Sequence, residues 1–438
     1  MIVRILIYML LTVLTSFYFF PFEFTFIPGI NTKMMMAVAG LGFLIFNMIN
    51  RKRKEMGRDF IMLNLLACVV GIISLVSMVY NGTPDNSYMT YIVSVWVWCS
   101  AAYAVLNMIH IVHGKVTFRL ICNYIIAVCV AQTTLAFSMQ FVPALKHFVD
   151  SFLAGEGFMG KNEERLYGVG AALDPSGLRF ACVLTLTMYM AIHSIKERKG
   201  QAWLYLLAYG IILVFGNIMS RTTIVGVLVS LVLLGFEMIG NKNNDEEESE
   251  GSMGSFVGAS GIVRRLLTII VIIVPIFTVL YNTNGTVRKN LRFGFEGFFA
   301  LVEEGHWHTT SSDGLEDHWI LPESFKTWII GAGFIASTDI DKNYIGTEYA
   351  GYYMGTDIGY CRFLFYFGAV GTLVMILFFV FLARYCAHNH PEQELLFMLI
   401  LLINLIGWFK VSSDVIMVFL PFILFSSTDI DEDSWIEE

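Results

Sequence analysis

Charge is what this chain has least of. Only 15% of its 438 residues are Asp, Glu, Lys or Arg, while 56% are hydrophobic, and the mean hydropathy is +0.66. No water-soluble core needs so much apolar surface. Repeated apolar runs of about 18–22 residues match a hydrocarbon layer roughly 30 Å thick at ~1.5 Å rise per residue, which excludes a soluble protein and predicts an integral membrane one. A basic excess is missing too: the net charge is −8, and nothing in its distribution suits nucleic acid. Most of the surplus acid sits in two tracts, Asp245–Glu250 and Asp429–Glu438, which read as solvated segments. The seven cysteines form no CxxC pair and lie in or beside apolar runs. They read as small buried hydrophobes, not as disulfides or ligands. A regular metal-ligand frame is also lacking. His306-Trp307-His308, with Asp313, Asp317 and His318 nearby, offers an HxH on a polar loop, a weak signal from which no metal or other cofactor is expected. No inverted internal repeat of the transporter kind is visible.

What is present is a series of apolar segments. Twelve helices are expected, near 2–20, 33–50, 60–80, 89–111, 119–140, 174–194, 202–219, 221–240, 264–282, 358–384, 394–409 and 412–427. The first follows Met1-Ile2-Val3-Arg4 and lacks a small-residue cleavage site, so it reads as a retained span. Every second loop is basic: Arg51-Lys52-Arg53-Lys54 with Arg58; Lys115 with Arg119; Lys196, Arg198 and Lys199; Lys242 with Arg264 and Arg265; and Arg384. The bias of Lys and Arg toward the cytoplasm then places both termini inside and loops 81–88, 141–173 and 283–355 outside. Loop 283–355 is the one long polar stretch on that side, and it comes late in the chain. A protein that only moves a solute rarely needs such a domain, whereas an enzyme working on lipid-anchored substrates often does.

Four arginines break the inside bias: Arg165, Arg179, Arg221 and Arg362. Arginines at membrane depth are costly and tend to mark a bound anion or a wet cavity, although a single one also fits an interfacial residue snorkelling to headgroups. Arg179 lies about a turn into the span opened by Asp174-Pro175-Ser176, and Arg221 follows Ser220 at the mouth of the next outer span. Helix N-termini carry partial positive charge, so both places suit a diphosphate that a guanidinium can grip with paired hydrogen bonds. Asp357 precedes an apolar span and reads equally as a helix cap or a proton acceptor. The loop aromatics Trp307, Trp319, Trp328, Tyr344, Tyr349, Tyr352 and Tyr353 fit either sugar stacking or ordinary core and interface. Lys410 and Asp414 are most simply an i,i+4 pair.

Three motifs then form a pattern: Arg165-Leu166-Tyr167-Gly168 followed by Asp174-Pro175-Ser176; Ser220-Arg221-Thr222-Thr223; and Gly331-Ala332-Gly333 followed by Thr356-Asp357-Ile358-Gly359-Tyr360 and Gly368-Ala369-Val370-Gly371. In order and placement they resemble the O-antigen polymerase (Wzy-like) and O-antigen ligase superfamily, over roughly residues 160–385. The resemblance implies an all-α integral membrane protein of about 12 spans, with the large external loop between spans nine and ten, in a GT-C-like polymerase/ligase architecture. It divides the chain into 1–160 (first five spans), 161–385 (polymerase/ligase-like core) and 386–438 (last spans and acidic tail). It further implies a metal-independent glycosyltransferase that joins undecaprenyl-diphosphate-linked repeat units into surface polysaccharide, O-antigen or capsule, at the outer face of the bacterial inner membrane. Arg221 and Asp357 become the expected catalytic residues; Arg165, Arg179, Arg221 and Arg362 the diphosphate ligands; Tyr360, Trp328 and Tyr353 the sugar contacts. The implied partners are the lipid-linked donor and acceptor, membrane lipids and a chain-length regulator protein. Ligases of this kind carry histidine where Asp357 stands, which favours polymerase; Asp174 in place of the family's asparagine is a milder departure. The alternatives are a ligase moving finished glycan to a lipid acceptor, and a non-enzymatic transporter or flippase, whose charges would sit in mid-span and not at the outer ends.

Overall fold

The computed structural model describes residues 2–50, 58–154, 165–196, 200–244, 264–265, 268, 271, 273–310, 313–314, 318–336 and 352–425. The acidic tracts at 245–250 and 429–438, the basic run 51–54, and Asp317, Tyr344 and Tyr349 lie outside them. The described residues are all-helical, with only two isolated strand-like bridges, Glu23 to Asn31 and Phe24 to Leu153. Eight of these helices are long and apolar enough to cross a membrane: Ile2–Phe19, Thr32–Ile49, Ile61–Asn81, Tyr91–His113, Phe118–Phe141, Leu173–Ile195, Ala202–Met219 and Gly359–Asn389. The chain is accordingly a multi-pass membrane protein by length and composition of its helices.

The remaining expected spans look different. The Ile224–Asn244 helix covers the eighth, preceded by a short 3₁₀ turn at Arg221–Thr223. Of the ninth, the helix Ile273–Thr283 is described. The last two meet a 14-residue helix, Glu394–Gly407, and a 9-residue helix, Ile416–Leu424. At ~1.5 Å per residue these are about 21 and 14 Å long, short of the roughly 30 Å layer. Between them the chain leaves the helical path and is held by side chains: Asn404 Oδ1 accepts from Val415 N at 3.1 Å, and Trp408 Nε1 donates to the Ser413 carbonyl at 2.9 Å. The helical i,i+4 argument for Lys410 and Asp414 therefore does not apply there, and Asp414 Oδ1 instead accepts from Ile416 N at 3.2 Å.

The chain forms two compact units, each discontinuous in sequence. The first comprises Met1–Met36 and Val105–His306, the second Ala37–Ala104 and Trp307–Glu438. In the first unit the Leu173–Lys196 helix is the hub, packed by Phe118–Phe141, Ala202–Met219 and Ile224–Asn244. Its interior positions from Leu178 to Leu186 are almost all fully buried.

In the second unit the hub is Gly359–Asn389, against which Arg58–Asn81, Phe325–Ile330, Glu394–Gly407 and Ile416–Leu424 pack. This hub is broken. Phe367 and Gly368 leave helical geometry, with Gly368 at φ +68. The break frees carbonyls that a bilayer cannot satisfy, so protein groups must do it. Ala332 N donates to the Phe365 carbonyl at 2.6 Å and Gly333 N to the Tyr366 carbonyl at 3.1 Å; Ser77 Oγ adds a bond to the latter at 2.6 Å. Gly331, at φ +85, and Gly368 lie where the two strands of chain cross: a Cβ on Gly331 would collide with the Tyr366 carbonyl, and one on Gly368 with that of Ile329. The glycine pattern that carried the resemblance is thus a backbone-on-backbone crossing, possible only without side chains.

Candidate functional site

Two clusters hold the residues singled out from the sequence, one in each unit. In the first unit the turn between Ala202–Met219 and Ile224–Asn244 is tied to the start of the Leu173–Lys196 helix. Asp174 Oδ1 accepts from Ser220 Oγ and from Thr222 Oγ1, both at 2.9 Å. Ser220 makes no side-chain cap bond, so its hydroxyl and Asp174 are engaged with each other. The stretch before the helix is set by Gln132, whose amide pairs with Val169 in both directions at 2.9 Å, and by Tyr167, whose hydroxyl donates to Asp150 at 2.8 Å. These ties fix the two ends from which Arg165 and Arg221 extend.

Arg165 and Arg221 meet on one ring. Each guanidinium carbon lies 4.8 Å from the centroid of Phe293, on the helix Gly285–Gly294. Arg221 also forms an ion pair with Glu296, at the start of the next helix, Glu296–Glu303; the two side chains are 14% and 28% exposed. Among the described residues, Arg165 has no carboxylate at ion-pair distance. Arg165 is a like charge within electrostatic reach of the Arg221 guanidinium, and Asp174 is an opposite one. Two cations on one aromatic ring, with one carboxylate paired to one of them, leave the cluster suited to a bound anion.

Arg179 does another task. Its Nη1 donates to the Phe19 carbonyl at 2.8 Å, at the end of the Ile2–Phe19 helix, and its guanidinium lies 5.5 Å from the Phe20 ring. That is a side-chain cap on a helix C-terminus, where cations are favoured.

In the second unit Arg362 sits in the first turns of Gly359–Asn389. It donates to Ser412 Oγ at 2.6 Å and to the Ile335 carbonyl at 3.2 Å, and lies over the Tyr352 ring at 4.5 Å. Its buried Nε has no hydrogen-bond partner, and no described carboxylate lies within ion-pair distance. Asp357 and Asp85 are within its electrostatic reach. Asp357 does not cap the following helix: the N-cap is Ile358, with no side-chain cap bond. Its Oδ1 instead lies 3.5 Å from His318 Nδ1.

The expected sugar contacts divide. Tyr353 is buried, stacked on Phe334 at 5.3 Å and edge-on to Phe365 at 5.6 Å, a core position. Tyr360 donates to the Leu405 carbonyl at 2.9 Å and packs edge-on against Phe409 at 5.0 Å. Trp328 is half-buried on the short Phe325–Ile330 helix; Trp307 and Trp319 are exposed. His308 Nε2 lies 2.8 Å from Asp313 Oδ2 and His306 Nε2 lies 3.6 Å from Glu304 Oε2; among the described residues no group of three or more His, Cys, Asp or Glu could hold a metal.

The sequence reading did not single out Phe293, Glu296, Ser412 or the pairing of His318 with Asp357. Glu296 stands in Phe293-Gly294-Phe295-Glu296-Gly297, which has no charge pattern to draw attention. Comparison of the chain with protein-family models, with curated proteins and with solved structures returns no match.

Proposed function

We propose that the protein polymerises undecaprenyl-diphosphate-linked oligosaccharide repeat units into a surface polysaccharide, by glycosyl transfer at the outer face of the bacterial plasma membrane. The observation that carries this reading is the pair of guanidinium groups, Arg165 and Arg221, on Phe293. A transferring sugar leaves an undecaprenyl diphosphate, and that departing charge needs fixed cations. Arg165 and Arg221 supply two, and a bidentate grip on phosphate oxygens suits guanidinium better than ammonium. Glu296 pairs with Arg221 and holds its guanidinium in place. Within its own unit, Arg362 has only neutral hydrogen-bond acceptors, which leaves its charge free to meet an anion. The attack also releases a proton from the acceptor hydroxyl, and Asp357 is the carboxylate named for it from the sequence.

The reading includes twelve spans with both termini cytoplasmic and the arginines on the periplasmic side, as the alternation of basic loops supports. The resemblance in the three motifs and aspartate in place of histidine at 357 favour polymerase over ligase. The test replaces Arg221 with alanine, and Arg362 with lysine, in cells lacking the native copy, and separates their surface glycan on a gel. The expected outcome is loss of the ladder of chain lengths with the protein still in the membrane. A normal ladder in Arg221→Ala would sink the diphosphate-clamp reading. Elongation of purified lipid-linked units with no other acceptor added would separate a polymerase from a ligase, which would leave them unchanged.

A further inference from the structure

Resting on that polymerisation reading, we propose that His318 is the catalytic residue that takes the proton from the acceptor hydroxyl, and that Asp357 is its positioning residue. A carboxylate is ordinarily a weaker base near neutral pH than an imidazole, so a carboxylate alone is poorly suited to the task. The neighbour that fits better is an imidazole, whose ordinary pKa lies near neutrality.

Four features of the second unit place the pair. First, His318 Nδ1 lies 3.5 Å from Asp357 Oδ1. Second, Nδ1 is enclosed and makes no hydrogen bond, so the Asp357 carboxylate is its polar neighbour at ion-pair distance, while the His318 side chain as a whole is 40% exposed. The exposure therefore falls on the other side-chain atoms. Third, Asp357 is released from capping the Gly359–Asn389 helix, since the N-cap is Ile358 and lacks a side-chain bond. Fourth, the two backbones are stitched beside the pair: Thr356 Oγ1 donates to the His318 carbonyl at 2.6 Å and accepts from Ile358 N at 3.3 Å. A carboxylate facing Nδ1 selects the tautomer with hydrogen on Nδ1, which leaves the Nε2 lone pair open to a substrate hydroxyl.

The step balances without a metal. The acceptor O–H bond breaks and its proton passes to Nε2. The oxygen's electron pair forms the new bond to the anomeric carbon, as the bond from that carbon to the diphosphate oxygen breaks. That bond's electron pair stays on undecaprenyl diphosphate, and the imidazolium, steadied by Asp357, returns the proton to water.

The experiment uses membranes from source cells lacking the native copy and carrying the full-length chain, with their own lipid-linked repeat units as substrate. His318→Ala is expected to slow elongation by about 100-fold or more, the usual share of general acid–base catalysis. Added imidazole should restore part of the rate in His318→Ala, which it would not do for a residue that only supports the fold. Asp357→Asn should also slow elongation, with Asp357→Glu recovering it. In nanodisc-held protein with 15N-labelled histidine, the neutral His318 ring should carry its proton on Nδ1, and Asp357→Asn should weaken that preference. Elongation by His318→Ala within about threefold of wild type, in a series where Arg221→Ala makes no polymer, would overturn the proposal and leave polymerisation standing. A neutral His318 protonated on Nε2 would overturn it as well. Wild-type membranes that extend nothing would overturn the polymerisation reading itself, and the role of His318 with it.

Discussion

The two arginine clusters are built from different materials. In the first unit the framework is made by side chains: Asp174 binds Ser220 and Thr222, Gln132 binds Val169, and Glu296 neutralises Arg221. In the second it is made by backbone: Ala332 and Gly333 donate to carbonyls freed by the break at Gly368, and Arg362 is held by a hydroxyl and a carbonyl. The difference teaches where each site is fragile. A charge-made site fails when one charge is removed and its partner is stranded; a backbone-made site fails when a side chain is forced into the crossing.

Four sets of measurements would break or sharpen this contrast. The largest effect is expected from Gly368→Ala. A left-handed alanine costs about 1–2 kcal/mol and the collision with the Ile329 carbonyl roughly 1–3 more, so unfolding in detergent should show a loss of about 2–5 kcal/mol. Gly42→Ala, on an open helix face, is the control and should be neutral or slightly stabilising. Second, Arg221→Ala should cost about 1–3 kcal/mol, because Glu296 is left only partly solvated, whereas Arg362→Ala should cost about 1 kcal/mol because it strands only neutral acceptors. Equal losses in denaturant titrations would erase the distinction between the clusters.

Third, a double-mutant cycle on Arg221 and Glu296 should show a coupling of about 1–2 kcal/mol, while one on Arg362 and Asp357 should give a few tenths at most. A large coupling in the second pair would mean that Asp357 restrains Arg362 and not His318. Smallest of all is Asp357→Asn, which should change stability by less than about 0.5 kcal/mol, since Asp357 is 41% exposed and caps nothing. A substantial loss of stability there would restore the capping role that its place before a helix first suggests.

The membrane class and most helices were legible in the chain itself. Apolar runs such as 202–219 and 60–80 read directly, because a bilayer demands length and hydrophobicity before anything else. The last two expected spans were legible only as apolar stretches. Hydropathy registers the surroundings of a segment, and it does not report where the helical path shortens or breaks, as it does around Asn404 and Trp408. At the sites, the sequence named Arg165 and Arg221 because they depart from the expected alternation of basic loops. That they share Phe293 could not be seen, because 72 residues separate Arg221 from Phe293 and no periodicity links them.

Composition and charge alternation alone determined that this is a helical, multi-pass membrane protein, since both are sums over many residues and survive local error. Tertiary structure alone decided what individual polar residues do. It placed Arg165 and Arg221 on one ring, used Arg179 on the Phe19 carbonyl, buried Tyr353, and turned Asp357 from the helix end toward His318. The reason is physical: at low dielectric a polar group takes its meaning from the one or two atoms it touches, and those atoms come from distant parts of the chain.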